Sequence, residues 1–208
     1  MYVDVQAGKT NWRDLYRLLI GFVTPRPIAL VSSVSADGHA NLAPFSWYNM
    51  VSANPPVVMV CPSVRRDRRL KDTLLNIRET KEFVVATVTE AIAPQMVRCG
   101  TDLPRGASEW DFAGLTPEPA QLVKPALVRE SPVNIECRLR DVISFGTEPG
   151  GGNVVLGDIV AMHVADWVLA DNGTIDSRKL RTVGRLGGAE YVTVNDPYEL
   201  HIPEPPTA

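Results

Sequence analysis

The sequence predicts a mainly β chain, an antiparallel barrel with α-helices at its periphery. Three observations carry this reading. Strand-patterned segments outnumber helix-patterned ones, tight-turn signals join some of them directly, and no regular strand–helix–strand alternation is present. The chain has 208 residues, 45% hydrophobic and 22% charged, the composition of an ordinary globular domain with one sizeable core. No internal repeat and no clean linker divides it. Residues 1–208 are therefore read as a single domain, with a flexible tail at about 203–208.

The elements follow in chain order. Trp12, Leu15, Leu18, Leu19 and Phe22 recur at helical spacing, predicting an amphipathic helix over Asn11–Phe22 that stops before Thr24-Pro25-Arg26-Pro27. Ile28–Val34 is apolar and β-branched and reads as a buried strand. Asp37-Gly38 marks a tight turn, and Asn41–Tyr48 returns as the second arm of a hairpin. Pro44 cannot donate to a sheet ladder, so a bulge or an edge is expected near Ala43–Ser46, with exposed backbone for a ligand. Val57–Cys61 is a short strand after Pro55-Pro56. A helix is expected from about Arg68 to Thr80, with Leu70, Leu74 and Ile77 on one face.

Phe83–Thr89 is again strand-like, and Ala91–Cys99 reads as a short helix ended by Gly100. Thr101–Pro132 carries scattered prolines and glycines without periodicity, a candidate lid or interface arm. Val133, Ile135, Cys137 and Leu139 alternate with Asn134, Glu136, Arg138 and Arg140, predicting a half-buried antiparallel strand. Asn153–Val168 is expected as one long strand bent at Gly157, followed by a turn at Asp171-Asn172-Gly173.

Composition excludes several function classes. No apolar run approaches the ~18 residues of a membrane span. Met1–Thr10 lacks a secretory pattern, so a cytoplasmic protein is expected. Net charge is -3, which argues against a nucleic-acid partner. The three cysteines (Cys61, Cys99, Cys137) and three histidines (His39, His163, His201) have no metal-ligand spacing, so no metal is expected. No nucleophile–base pattern stands out, and no catalytic side chain is assigned.

The most informative segment runs from Cys61 to Thr73. Between Arg65 and Asp72, Arg65, Arg66, Arg68, Arg69 and Lys71 face only Asp67 and Asp72, a local charge of +3 inside an acidic chain. The segment links a strand end to a helix start, where free N–H groups and the helix dipole favour an anion. Ser63 and Thr73 add hydroxyl donors, and a phosphate monoester needs several donors. Gly150-Gly151-Gly152 lacks the lysine and the following helix of a phosphate loop and reads as a hairpin. Gly184-Arg185-Leu186-Gly187-Gly188 does not match a dinucleotide fingerprint. An anion pocket without an acid–base set points to a bound cofactor that carries the chemistry.

These residues also carry a resemblance. Thr24-Pro-Arg-Pro-Ile-Ala-Leu-Val-Ser-Ser33, Asn41-Leu-Ala-Pro-Phe-Ser46, Asn54-Pro-Pro56 and Lys71-Asp-Thr73 resemble, in order and spacing, the flavin reductase-like proteins of the FMN-binding split-barrel fold. Gly114-Leu-Thr-Pro117, Glu130-Ser-Pro132, Glu136-Cys137, and Leu186-Gly-Gly188 with Tyr191 continue the likeness, which spans roughly residues 12–195.

The resemblance implies a Greek-key antiparallel split β-barrel, a homodimer, and FMN near the subunit interface. It places Ser46, Trp47 and Asn49 near the flavin ring or ribityl chain. Ser63, Arg69, Lys71 and Thr73 fall near the phosphate, where Asp72 could instead cap the helix. Arg26 is a further candidate, and Tyr191 would approach the partner's flavin. The loop is more basic than one phosphate requires. Which of Arg65, Arg66, Arg68 and Arg69 binds is left open, and the surplus could meet the 2′-phosphate of NADPH or a protein partner.

The implied activity is an oxidoreductase: NADH or NADPH gives hydride to flavin N5, and the electrons pass to free flavin, a protein or another acceptor. Two rivals stand beside it, a flavoredoxin-like FMN electron carrier reduced by a protein partner, and a non-redox binding module on the same barrel.

Overall fold

The computed structural model describes residues 1–104 and 107–205. The last part of the expected flexible tail, 206–208, lies outside the described residues. Helices are α1 (Trp12–Phe22), α2 (Asp72–Thr80), α3 (Ala93–Arg98), α4 (Glu109–Ala113) and α5 (Ser177–Leu180). Strands are β1 (Arg26–Pro27), β2 (Ala29–Val34), β3 (Ala40–Phe45), β4 (Tyr48–Ala53), β5 (Pro56–Val60) and β6 (Glu82–Thr87). They continue with β7 (Pro117–Glu118), β8 (Leu127–Val128), β9 (Val133–Ser144), β10 (Asn153–Val164), β11 (Val183–Arg185) and β12 (Tyr191–Thr193).

The main sheet has seven strands in the order β3-β2-β6-β9-β10-β5-β4, every neighbouring pair antiparallel. Its two edges, β3 and β4, are consecutive in sequence and joined only by Ser46 and Trp47. The path from Phe45 to Tyr48 reaches at most about 11 Å. A flat seven-stranded sheet would hold its edges about 29 Å apart. The sheet must therefore roll until the edges meet at the Ser46-Trp47 corner, and they do so without pairing along their length. That geometry is a split barrel.

Side-chain alternation then defines two cores. Ala29 and Val31 of β2 point into the barrel with Val58, Val60, Phe83, Val85, Cys137 and Val155, and α2 closes the interior with Leu74 and Ile77. Ile28, Leu30, Leu42 and Ala86 point outward and are covered by Met96 of α3 and Trp110 of α4. Both faces of β2 are thus buried, apolar from Ala29 to Val31 and continued by the buried hydroxyls of Ser32 and Ser33. Gly157 sits where a Cβ would meet the Phe83 ring at 2.3 Å, and the β9–β10 register shifts beside it. The bend expected there is present.

Of the bulge or edge expected at Pro44, the edge is present: Pro44 pairs in register with Leu30 on edge strand β3, a position that tolerates its missing N–H. Several other expectations need correction. The expected Asn41–Tyr48 arm ends at Phe45, and Tyr48 opens β4 on the opposite edge. Helix α2 begins at Asp72 and not near Arg68. Arg68 instead adopts a left-handed φ of 66° in a turn closed by Arg65 N–H to Arg69 O and Arg68 N–H to Arg65 O. The long strand ends at Val164, before a single 3-10 turn at Asp166–Val168. The short elements β11, β12 and α5 had no sequence expectation.

The largest correction concerns 101–132, expected as a lid or an arm over a neighbour. It covers the chain's own barrel: Trp110, Ala113, Leu115 and Val128 join the outer core, and Val123 and Leu127 pack on Val84. The sheet holds it with polar groups. Asn134 Oδ1 accepts from Val128 N–H at 2.9 Å, and its amide donates back to Val128 O at 3.1 Å. The fully buried Glu136 carboxylate accepts from Gln121, Leu122 and Val123 N–H at 2.9, 2.6 and 3.1 Å. The face of β9 that alternation assigns to solvent is therefore interior at Asn134 and Glu136, while Arg138 and Arg140 stay exposed.

Candidate functional site

Cys61–Lys71 crosses from β5 to α2 under tight constraint. Val64 N–H donates to Gly151 O at 2.8 Å and Gly150 N–H to Val64 O at 3.1 Å, so the β9–β10 hairpin tip seats on the loop. Gly150 has φ +89, and a Cβ there would meet the Trp12 ring at 2.8 Å. Glycine is needed on both grounds. The glycine-rich hairpin is thus a packing surface for α1 and the basic loop.

These elements enclose a cleft of about 780 Å³ between α1, the β3–β4 corner and the basic loop. Its apolar wall is Trp12 and Tyr16 of α1 with Trp47 and Pro44. The Tyr16 and Trp47 rings lie 6.4 Å apart at 53°. Its polar wall carries five bases, Arg13, Arg17, Arg65, Arg66 and Lys71, against Asp67 and Asp102. Arg65 is committed to Asp102, and Arg17 to Asp14 at 3.2 Å. Among the described residues, no ion pair engages Arg66 or Lys71. Helix α2 starts at Lys71 without a side-chain cap, leaving its first N–H groups to other acceptors. Aromatic and cationic side chains thus line the cleft together, and the Arg13 guanidinium lies 5.2 Å from the Trp12 ring centroid.

Of the residues singled out from sequence, Ser46, Trp47, Ser63 and Lys71 line this cleft, as do Arg65 and Arg66 of the four arginines left open. The others are not among its lining residues. Arg69 is exposed and folded back onto Asp67, whose carboxylate takes its Nε at 2.7 Å and backbone N–H at 3.1 Å. Asp67 in turn is held below the usual carboxylate range, first by the Arg69 side chain and then by its backbone N–H. Thr73 is buried and its hydroxyl accepts from Asn41 Nδ2 at 2.9 Å. Asp72 occupies the first helical position and not the cap, which is Lys71. Asn49 is exposed on β4, where its Oδ1 accepts Met50 N–H at 2.8 Å.

Arg26 is 7% exposed and acts as a clamp. It donates to Ile20 O at 2.9 Å, Val23 O at 2.6 Å and Leu186 O at 2.9 Å, with Ser46 Oγ at 3.4 Å from Nε. It ties the end of α1 to the barrel and to the segment after β11. Tyr191 lies beside it in an annex of about 130 Å³ that shares Tyr16, Pro44 and Ser46 with the main cleft. Tyr48 packs toward the barrel core, and burial pushes its hydroxyl up to about 12.

Sequence reasoning missed the α1 contribution. Trp12, Arg13, Tyr16 and Arg17 form a cleft wall, whereas the apolar stripe suggested core packing. No α1 residue is buried. The available signal was the aromatic and basic residues interleaved over two turns.

The cysteines offer no thiolate. Burial raises Cys61 and Cys137 and pushes Cys99 up to about 12. Among the described residues, no group of His, Cys, Asp and Glu could hold a metal ion. Among them, no helix is long and apolar enough to cross a membrane. The arrangement supplies aromatic faces for a flat ring and cationic donors for an anionic tail, with no activated nucleophile or acid–base pair among the described lining residues.

Comparison with known proteins follows the same lines. A model of the flavin reductase like domain matches residues 22–182. An uncharacterized protein of Aquifex aeolicus is 40% identical over 190 residues, covering 91% of this chain and 95% of the relative. Nitrilotriacetate monooxygenase component B from Bacillus cereus has a similar structure, with TM-score 0.89 and 32% identity over 96% of this chain and 99% of its own. The Pseudomonas fluorescens 2-nitrobenzoate 2-nitroreductase NbaA gives TM-score 0.85 and 33% identity over 98% and 96%.

Proposed function

The chain belongs to the flavin reductase-like domain family, and from that premise we propose that its cleft binds FMN and serves an NAD(P)H-dependent oxidoreductase. The observation that carries the reading is one cleft lined both by aromatic rings and by the uncommitted bases Arg66 and Lys71. The residues present fit the group. A volume of about 780 Å³ lies within the ~300–1,000 Å³ of cofactor sites. Trp47 and Tyr16 offer faces for a flat ring system, while Arg66, Lys71, Ser63 and the uncapped start of α2 offer donors for a phosphate monoester.

When bound, FMN supplies hydride acceptance at N5 from NADH or NADPH and onward electron delivery to a second acceptor, free or protein-held. The protein's part is binding and electrostatics. The basic loop fixes the anionic tail. Edge strand β3 leads into the Ser46-Trp47 corner, where the Trp47 carbonyl accepts from Cys61 N–H at 2.9 Å, and backbone N–H donors there would favour negative charge on a ring seated against them. Helix α1 shields that side from water.

In this reading residues 1–208 form one domain, and two copies associate. Support for a homodimer is apolar exposure: Phe22 of α1 is 69% exposed, Met50 of β4 63% and Phe145 of the β9–β10 turn 72%. Sedimentation of dilute flavin-loaded protein tests the dimer, and a stable monomer contradicts it. Anaerobic addition of NADH or NADPH to FMN-loaded protein tests the activity. Rapid loss of visible flavin absorption supports a reductase. Persistence of colour with both nucleotides would favour the electron-carrier reading.

A further inference from the structure

The annex beside the cleft has a chemistry of its own. Its floor is apolar, formed by Ile20, Ile28, Pro44 and Met96. Its charged residues are Arg26 and Arg185, and no carboxylate lines it. Among the described residues, neither arginine forms an ion pair. A buried cation balanced only by carbonyl dipoles is costly to hold without an anion nearby. Arg26 is in that position: burial lowers its pKa, and the neighbouring Arg185 adds to the effect against an opposing contribution from Tyr16.

The two arginines divide the work. Arg26 has its donors on Ile20, Val23 and Leu186 carbonyls, so it contributes positive field and little direct bonding. Arg185 is only partly engaged. Its guanidinium lies over the Tyr191 ring at 4.4 Å from the centroid, and its two terminal nitrogens donate to Tyr191 Oη and Gly188 O. A guanidinium has five N–H donors, which leaves several for a ligand. Tyr191 Oη accepts from Arg185 and keeps its own proton to donate. Ser46 adds a second hydroxyl at the boundary with the cleft.

We infer that the annex is a binding subsite for a small aromatic carboxylate, its single ring on the apolar floor and its carboxylate on Arg185 and Tyr191. A volume of about 130 Å³ suits one ring and not a nucleotide, whose sites run to ~300–1,000 Å³. The shared residues Tyr16, Pro44 and Ser46 put such a ligand next to a ring bound in the cleft, so its placement beside a flavin rests on the FMN reading above.

The test titrates benzoate and its neutral isostere benzamide by calorimetry into the protein with and without added FMN. Benzoate should bind in both states, at least roughly tenfold tighter than benzamide. Arg185→Gln should abolish that preference and Arg185→Lys should retain part of it. Equal affinities for the two probes in wild-type protein overturn the inference independently of any variant's folding. Displacement of FMN by benzoate also overturns it, because the annex then belongs to the flavin site. Failure of FMN to bind would instead sink the flavin reading, and benzoate binding to the protein alone would still decide the annex.

Discussion

The rings of Tyr16 and Trp47 approach to 6.4 Å between centroids at an interplanar angle of 53°, joining helix α1 to the corner where the two barrel edges meet. This contact makes the aromatic wall of the cleft. It also links a helix that buries none of its own residues to the rigid part of the fold.

Trp47→Ala should therefore weaken FMN binding by about fivefold to tenfold, from loss of an aromatic face worth roughly 1 kcal/mol. Tyr16→Ala should have a smaller effect in the same direction. Fluorescence or absorbance titration with FMN measures both. Unchanged affinity in Trp47→Ala would place the ring elsewhere.

The basic loop separates cleanly by variant. Arg66→Ala with Lys71→Ala should lower FMN affinity by roughly tenfold or more and leave riboflavin affinity alone, because only the phosphate meets these donors. Arg69→Ala should change FMN affinity by less than about twofold, since Asp67 holds that side chain at the surface. The reverse ranking would show that the phosphate sits on the outer side of the Arg65–Arg69 turn.

Arg26→Ala should act on stability. The substitution removes three charge-assisted bonds and leaves the Ile20, Val23 and Leu186 carbonyls without their donor. A loss of about 3 kcal/mol is expected in urea unfolding. A loss below about 1 kcal/mol would mean that the clamp contributes little.

Glu136 gives a pH signature. Burial pushes its carboxyl up, but Gln121 N–H, His163 and Leu122 N–H outweigh burial and hold it below 4.5. A depressed folded pKa gives stability that is complete above the unfolded value and is lost as pH falls through the folded one. The stability gap between wild type and Glu136→Gln should therefore be widest near neutral pH and shrink below about pH 4. Urea unfolding across this range measures it, and a gap independent of pH would contradict the assignment.

How much was legible in the sequence follows from the kind of signal each part carries. Ile28–Val34 read correctly as a strand from its short run rich in apolar and β-branched residues, and Val133–Leu139 from the alternation of its apolar residues. The 101–132 segment did not, because its place is fixed by Asn134 and Glu136 bonding to backbone N–H groups, and those bonds leave no hydrophobic period. Ser46, Trp47, Ser63 and Lys71 reached the cleft through a match of family motifs and local charge. Thr73 and Arg69 sat in the same motif, yet one turns inward to Asn41 and the other outward to Asp67. Spacing alone could not separate those directions before the Arg68 turn was known.

The central claim is that the cleft holds FMN by its phosphate and presents the ring to a reduced nicotinamide. Anaerobic stopped-flow mixing of FMN-loaded protein with NADPH and with NADH, paired with riboflavin and FMN titrations, tests it most directly. The account predicts one FMN per chain, riboflavin at least roughly tenfold weaker, and rapid bleaching by at least one nucleotide. Riboflavin bound as tightly as FMN, or a flavin that neither nucleotide reduces, would contradict it.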